Sequence, residues 1–421
     1  MQKVLIVTYY WPPGSGAGVQ RWLKFSKYLP EHGWEPVILT VDPVHAVYPA
    51  LDYSLGSEIP ENLVVIKTRA TDYFRFYKKD KSKIPSSGFA SDDKKGLQSR
   101  FARFIRGNFF IPDPRRGWNK SAFKKACEVI ETKGINHLIT TSPPHSTQLI
   151  GLKLKRKYPG LRWIADLRDP WTDIYYYREF YPCWLSKRID AAYEKSVLKA
   201  ADTIITVGKS LRELFISKIP GLGKKVEIIS NGYDSEDFSG INATLPDVFT
   251  IAYTGTLSDQ YPAEGFLKAL KDLKEKGTEF RLRFTGYVSA RQKKTIKSYS
   301  LESTCEFLPY ADHLSAIKSM LDSSALLLII PDHHSSKSII TGKLFEYLAS
   351  GKPIICLGPS PGDAAEILEE YGHGKTFNYN DTEGITGYLN NLIMNPLISE
   401  TKSPAVYRRD ILVQRVASLL I

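Results

Sequence analysis

Along most of this chain a short apolar, β-branched run is followed by a turn and then by an amphipathic helical stretch. This alternation leaves few folds open. Strand-like runs fall at 3–8, 36–40, 64–67, 137–141, 163–166, 203–207 and 226–229. Helical patterns such as 19–32, 146–158 and 183–200 separate most of them. A second set with the same grammar follows at 249–253, 280–284, 305–308, 326–330, 353–357 and 375–377. Parallel strands need crossover helices, and those helices cover both faces of the sheet. Between the two sets, NGYDSEDFSGINATLPD (231–247) is polar, carries Gly and Pro, and holds no sustained period, so it is expected to be a linker. The expectation is an α/β chain of two doubly wound, Rossmann-like domains, with a ligand bound between them at the carboxyl ends of the strands.

Size and composition agree. A chain of 421 residues exceeds one ordinary core, and 43% hydrophobic with 24% charged residues is the balance of a soluble globular protein. MQKVLIVTYYWPP at the start holds one Lys and a short apolar run ending in Trp-Pro-Pro, which reads as a first strand and not as a membrane span or a cleaved leader. Cys127, Cys183, Cys305 and Cys356 are scattered without CxxC spacing. They point to reduced thiols in a cytoplasmic protein and away from a disulfide frame or a zinc site. The formal charge of +12 is uneven: residues 72–118 carry twelve Lys/Arg against five Asp. That segment suits phosphates or an anionic membrane surface, and equally a solvated basic loop.

Four constellations sit where strands run into helices. In TYYWPPGSGAGVQRW (8–22), Gly14, Gly16 and Gly18 let backbone approach a ligand, with Ala17 and Gly18 at the start of a helix. A nicotinamide fingerprint wants a third glycine where Val19 stands, and only Asp42 after the second strand keeps that reading open. In TTSPPHSTQLIG (140–151), His145 precedes a helix that Ser146 is expected to cap, and it is a candidate proton acceptor or substrate contact. In WIADLRDPWTD (163–173), Asp166, Arg168, Asp169 and Asp173 cluster at a strand end, where they either position a sugar or form a structural Arg–Asp network. No D-x-D triplet occurs, so a metal clamp for a diphosphate is not indicated.

The fourth lies in the second half. AYTGTL (252–257) and FTGYV (284–288) end strands in Gly turns at Gly255 and Gly286. TGKLFEYLASGKP (341–353) opens a helix in which Leu344, Phe345, Tyr347 and Leu348 form the buried stripe. Lys343 and Glu346 are three apart and share the other face. Lys343 with backbone N–H groups suits a diphosphate, and a carboxylate accepts the two hydroxyl protons of a ribose.

These segments together resemble a GT-B-fold glycosyltransferase of family 4, of the bacterial branch that builds surface polysaccharides. The resemblance is carried in order by YYWPPGSGAGVQR, PDPRRGW (112–118), TTSPPHS, ADLRDPWTD, ITVGKSLRE (205–213), ISNGYD (229–234), TGTL and TGKLFEYLASGKPI, and it covers nearly the whole chain. It implies an acceptor domain over 1–231 with a basic insertion at 72–118, completed by a returning C-terminal helix at 407–421, and a nucleotide-sugar domain over 232–406. Glu346 would hold the donor ribose. Gly255 and Thr256 with Thr341, Gly342 and Lys343 would hold the diphosphate, and Leu257, Gly286, Ser338 and Leu344 would complete the donor site. Gly16, Ala17 and Gly18, with His145, Arg168 and Asp169, would serve the acceptor and the chemistry. Transfer would retain the anomeric configuration, with no metal and no cofactor beyond the nucleotide-sugar substrate. One departure stands out: eight residues before Glu346, where the family usually has a second Glu for the donor sugar, this chain has Ser338.

The basic segment gains a use in that light. Leu97, Phe101, Phe104 and Ile105 fall at helical spacing beside Arg100, Arg103 and Arg106, a pattern suited to a helix on a membrane surface. The expected partners are therefore a nucleotide sugar and a saccharide or lipid-linked acceptor, with an anionic membrane through 72–118 and no nucleic acid, since no nucleic-acid motif accompanies the charge. The expected location is cytoplasmic, peripheral on the inner membrane face. The competing classes are a nucleotide-sugar epimerase on the same fold, a dinucleotide oxidoreductase and a non-catalytic membrane-surface binder.

Overall fold

The computed structural model describes residues 1–71, 73, 97–395 and 404–421, and these fall into two compact units, 1–231 with 409–421 and 232–408. Of the basic segment, residues 72 and 74–96 lie outside the described residues.

The first unit holds a parallel sheet of β1 (Gln2–Val7), β2 (Trp34–Val41), β3 (Val64–Thr68), β4 (His137–Ser142), β5 (Arg162–Leu167), β6 (Thr203–Thr206) and β7 (Val226–Ile228). Their spatial order is β3-β2-β1-β4-β5-β6-β7. The helices are α1 (Ala17–Tyr28), α2 (Leu97–Phe109), α3 (Asn119–Lys133), α4 (Ser146–Lys157), α5 (Trp184–Ala200) and α6 (Lys209–Lys218). Val4 to Val7, Val37 to Leu39 and Ile164 to Leu167 are buried without alternation, as expected of a sheet covered on both faces. The strand order reverses between β1 and β4. At such a switch point the loops after the two strands part and leave a crevice. The loop 8–16 and the turn 143–145 leave the sheet there.

The second unit repeats the plan with β8 (Thr250–Thr254), β9 (Arg281–Thr285), β10 (Cys305–Leu308), β11 (Ala325–Ile329), β12 (Ile354–Leu357) and β13 (Gly374–Phe377), in the order β10-β9-β8-β11-β12-β13. Its helices are α7 (Glu264–Glu275), α8 (Ala290–Ser298), α9 (His313–Leu321), α10 (Gly342–Ser350), α11 (Asp363–Tyr371) and α12 (Thr382–Met394). Here the switch point lies between β8 and β11, and the loops after them carry Gly255 and residues 330–341.

A last helix, α13 (Arg409–Leu420), returns to the first unit and buries Leu412, Val413, Val416 and Leu420 in its core. Arg409 fixes the return by donating to the Asn231 carbonyl at 3.4 Å and to Gln20 at 3.2 Å. The second crossing between units thus falls at Arg408–Arg409, two residues beyond the sequence expectation. The supposed linker is not featureless, since a 3-10 turn over Ser235–Phe238 is capped by Asp234. No helix among the described residues is long and apolar enough to cross a membrane.

Candidate functional site

In the second unit, α10 presents its two faces as the sequence suggests. Leu344, Phe345, Tyr347 and Leu348 are buried, while Lys343 and Glu346 are only half-buried. Gly351 ends the helix in the left-handed region, at φ 69°, where glycine carries no Cβ penalty. Two side chains tie this helix to the end of β8. The Lys343 ammonium donates to the Tyr253 hydroxyl at 2.9 Å and lies 4.1 Å from the centre of that ring. The Tyr347 hydroxyl accepts the Thr254 N–H at 3.1 Å. Burial pushes Lys343 down to about 7, against an opposing pull from Glu346. The Glu346 carboxylate accepts no hydrogen bond among the described residues, and the buried Thr341 hydroxyl has no partner there either.

The glycine turns make room for this arrangement. Gly255 sits at φ +99°, and a Cβ on it would stand 2.9 Å from Lys343 Cε. Gly286 sits at φ +125°, and a Cβ there would meet the Gly255 carbonyl oxygen at 2.5 Å. Gly255, Thr256, Gly286, Thr341, Gly342, Lys343 and Glu346 are therefore held by β8, β9 and α10 at the switch point. Leu257 and Leu344 differ from the rest, because their side chains are buried in the core and their N–H groups are bonded to Tyr287 and Thr341 carbonyls. Ser338 closes a 3-10 turn and donates to the Ser335 carbonyl at 2.9 Å, so its hydroxyl proton is already used.

The first unit divides the acidic cluster into parts. Asp166 is wholly buried and paired with Arg21 at 3.1 Å. It also accepts from Trp22 at 2.7 Å and Thr141 at 2.8 Å, and Arg21 continues to the Ile229 and Ser230 carbonyls. This is a structural Arg–Asp network that ties β5 to α1. Asp173 is likewise engaged, in an ion pair with Lys218, which also holds Glu194 at 2.6 Å. Asp169 is different. Its carboxyl accepts no hydrogen bond among the described residues, and burial pushes its pKa up despite neighbouring Arg168. Arg168 donates to the Ser142 carbonyl at 3.1 Å, and its guanidinium lies where a Cβ on Gly18 would stand 3.2 Å away. Gly18 is therefore the contact that lets the start of α1 approach Arg168. Gly16, at φ +98°, and Ala17 are exposed at the same helix start. Asp42 caps the turn after β2, accepting the Val44 N–H at 3.0 Å.

His145 caps α4, in place of the expected Ser146, which becomes the first helical residue and bonds Asp113 at 2.8 Å and 2.9 Å. The His145 ring is stacked on Trp171, with centroids 4.9 Å apart and planes 14° apart, and its nitrogens are shut off from solvent. Burial pushes its pKa down to about 3, so it is neutral and a weak base at physiological pH. A pocket opens beside it, lined by Tyr10, Arg106, Arg115, Trp171, Tyr176 and Asp190 among others. The sequence reading did not single out Tyr10 and Trp171. Their signal was weak: both are aromatics just past strand ends, Trp171 next to Pro170 and Tyr10 two residues before Pro12.

The family model described as Glycosyl transferases group 1 matches residues 234–408. No curated protein matches the chain in sequence. Among solved structures, sucrose-phosphate synthase from Thermosynechococcus elongatus is similar with a TM-score of 0.61 at 12% identity, over 100% of this chain and 95% of that one. Anabaena HepE, solved in complex with UDP and glucose, gives 0.57 at 13% identity, over 100% and 95%. A putative UDP-N-acetylglucosamine 2-epimerase from Listeria monocytogenes gives 0.57 at 9% identity, over 98% and 94%. At such identities the likeness is one of fold. Residues 234–408 thus resemble Glycosyl transferases group 1, within a two-unit α/β chain that has the GT-B fold of these structures.

Proposed function

We propose that the protein is a glycosyltransferase of the family 4 type. The second unit takes a nucleotide-diphosphate sugar, the first takes a saccharide or lipid-linked acceptor, and the sugar moves with retained configuration. The observation that carries the reading is Lys343 and Glu346 on one face of α10, beside the Gly255 turn at a switch point. A carboxylate that accepts no hydrogen bond among the described residues suits two ribose hydroxyls. A lysine held near neutrality, at the positive end of a helix, suits the diphosphate and the charge that grows on it as it leaves. Asp169 and Arg168 serve the acceptor side, while His145 is a neutral wall stacked on Trp171. The transfer uses no metal and no further cofactor, belongs to cell-surface polysaccharide assembly, and takes place at the cytoplasmic face of the membrane. Donor consumption by purified protein with an acceptor extract, followed by NMR of the product anomer in the presence of EDTA, tests each part. An inverted anomer contradicts retention, and loss of activity with EDTA contradicts metal independence.

A second reading, an epimerase, is favoured by the similar fold of the putative UDP-N-acetylglucosamine 2-epimerase from Listeria monocytogenes. NMR of the donor with protein alone separates the two, because an epimerase alters the sugar without an acceptor.

A further inference from the structure

One side of the pocket in the first unit hangs from two carboxylates of α5, and the two are held differently. Asp190 and Glu194 are four apart on the inner face of that helix, at 3% and 1% exposure. Glu194 accepts the Thr172 hydroxyl and the Lys218 ammonium, each at 2.6 Å, so its charge is matched inside the fold. Asp190 accepts the Trp171 indole N–H at 2.7 Å and the Tyr177 hydroxyl, and no cation pairs with it among the described residues. Trp171, Tyr177 and Asp190 itself all line the pocket. The Trp171 ring also carries the His145 imidazole, stacked at 4.9 Å. One carboxyl therefore fixes both the loop after β5 and the turn over Tyr175–Phe180.

The charged groups around Asp190 do not relieve it. Burial pushes its carboxyl up to about 6, against the pull of the two hydrogen bonds, and Glu194 on the same helix and Asp113 of the pocket lining add to the rise. Lys218 on α6 is committed to Glu194 and Asp173. Arg106 and Arg115 line the pocket over the Phe180 and Tyr10 rings, and His145 is neutral. An asparagine would accept the same two hydrogen bonds without a buried charge. A carboxyl adds one property that an amide lacks, since it takes up a proton near neutrality. Protonated, it loses the charge that strengthens both bonds, and one of its oxygens becomes a donor facing two donors.

We propose that Asp190 is a positioning residue: ionised, it holds Trp171 and Tyr177 as the wall of the pocket, and one proton on its carboxyl releases that wall. The inference goes beyond the glycosyltransferase reading and rests on it only in calling the pocket's occupant an acceptor; the proton-dependent wall needs no ligand.

The test is NMR of the full chain with isotope-labelled tryptophan indoles, the Trp171 signal being assigned by its loss in Trp171→Phe. From pH 8 to pH 5 the Trp171 indole proton is expected to shift with one midpoint near 6, and to stay level in Asp190→Asn. The fold of that variant is checked by melting. The folded chain binds this proton more tightly than the unfolded one, so native stability falls as pH rises from 3.8 to about 6. Asp190→Asn escapes that fall and should melt higher than the native chain at pH 7. In transfer to the acceptor extract, the half-saturating amount of extract should rise about tenfold from pH 7 to pH 5, the limit for one proton that must leave, while donor Kd stays level. The rise should persist in His145→Gln and vanish in Asp190→Asn. A native indole signal that stays level, or one that titrates equally in Asp190→Asn, would overturn the proposal, and so would a rise in half-saturation that survives in Asp190→Asn. A titrating indole without any transfer overturns the glycosyltransferase reading and leaves the wall standing; transfer with a level indole overturns the wall alone.

Discussion

Lys343 donates to the Tyr253 hydroxyl at 2.9 Å, and that single contact joins the first turn of α10 to the end of β8. The lysine is held half-buried against an aromatic face, and its pKa falls to about 7. The cation is therefore available at little desolvation cost to a diphosphate that replaces the lost solvent.

Donor affinity should depend on pH through this residue. A bound diphosphate favours the ammonium, so binding takes up a proton above about 7, and affinity falls roughly tenfold per pH unit there. Titration calorimetry in buffers of different ionisation enthalpy reads the uptake directly, and Lys343→Arg should flatten the profile. Without donor the sign reverses. The unfolded chain binds this proton more tightly, so stability rises with pH from about 7 toward the ordinary lysine value of 10.5, and Lys343→Met should remove that part of the slope.

The two glycine turns should respond differently to alanine. Gly255→Ala incurs about 1–2 kcal/mol of left-handed strain. It also crowds the flexible end of Lys343, which can move, so donor affinity should suffer more than stability. Gly286→Ala meets the Gly255 backbone oxygen at 2.5 Å, which cannot give way cheaply, and should lower stability more. Thermal midpoints and donor Kd for both variants make the comparison.

Asp166 and Asp169 should separate by effect. Removing Asp166 leaves Arg21 charged and buried without its partner, a loss of about 3–5 kcal/mol. Asp166→Asn should therefore unfold at lower temperature and lower denaturant, with changes in rate following from that. Asp169→Asn should hold stability or raise it at neutral pH, because burial already disfavours the ionised form, yet it should cut transfer to the acceptor. Denaturant midpoints beside kcat and acceptor KM distinguish the two.

His145 should contribute no ionisation to the pH–rate profile between pH 5 and pH 9, since its pKa lies near 3. An acid limb near pH 6 that vanished in His145→Gln would show that the imidazole does act as a base.

The strands were legible because a sheet covered on both faces needs uninterrupted apolar runs. Ile164 and Ala165 or Leu326 to Leu328 could hardly be anything else in such short segments. Lys343 and Glu346 were legible because helical spacing places them off the buried stripe. The division of ADLRDPWTD was not legible. Whether Asp166 or Asp169 is buried in a network depends on Arg21, which lies 145 residues away, and no local pattern encodes that pairing. Tyr10 and Arg115 were hidden for the same reason, since the pocket forms only when the loop after β1 meets the segment before α3. Leu257 and Leu344 lay inside binding motifs, but each alternates inward and serves the core.

The most direct test is titration of the native chain and of Glu346→Gln with a panel of nucleoside diphosphates and their sugars. A carboxylate that accepts ribose hydroxyls contributes charged hydrogen bonds, so the variant should bind the preferred nucleotide roughly 10- to 100-fold more weakly while keeping its thermal midpoint. Equal affinity in the two proteins would contradict the assignment of Glu346, and with it the placement of the donor on α10.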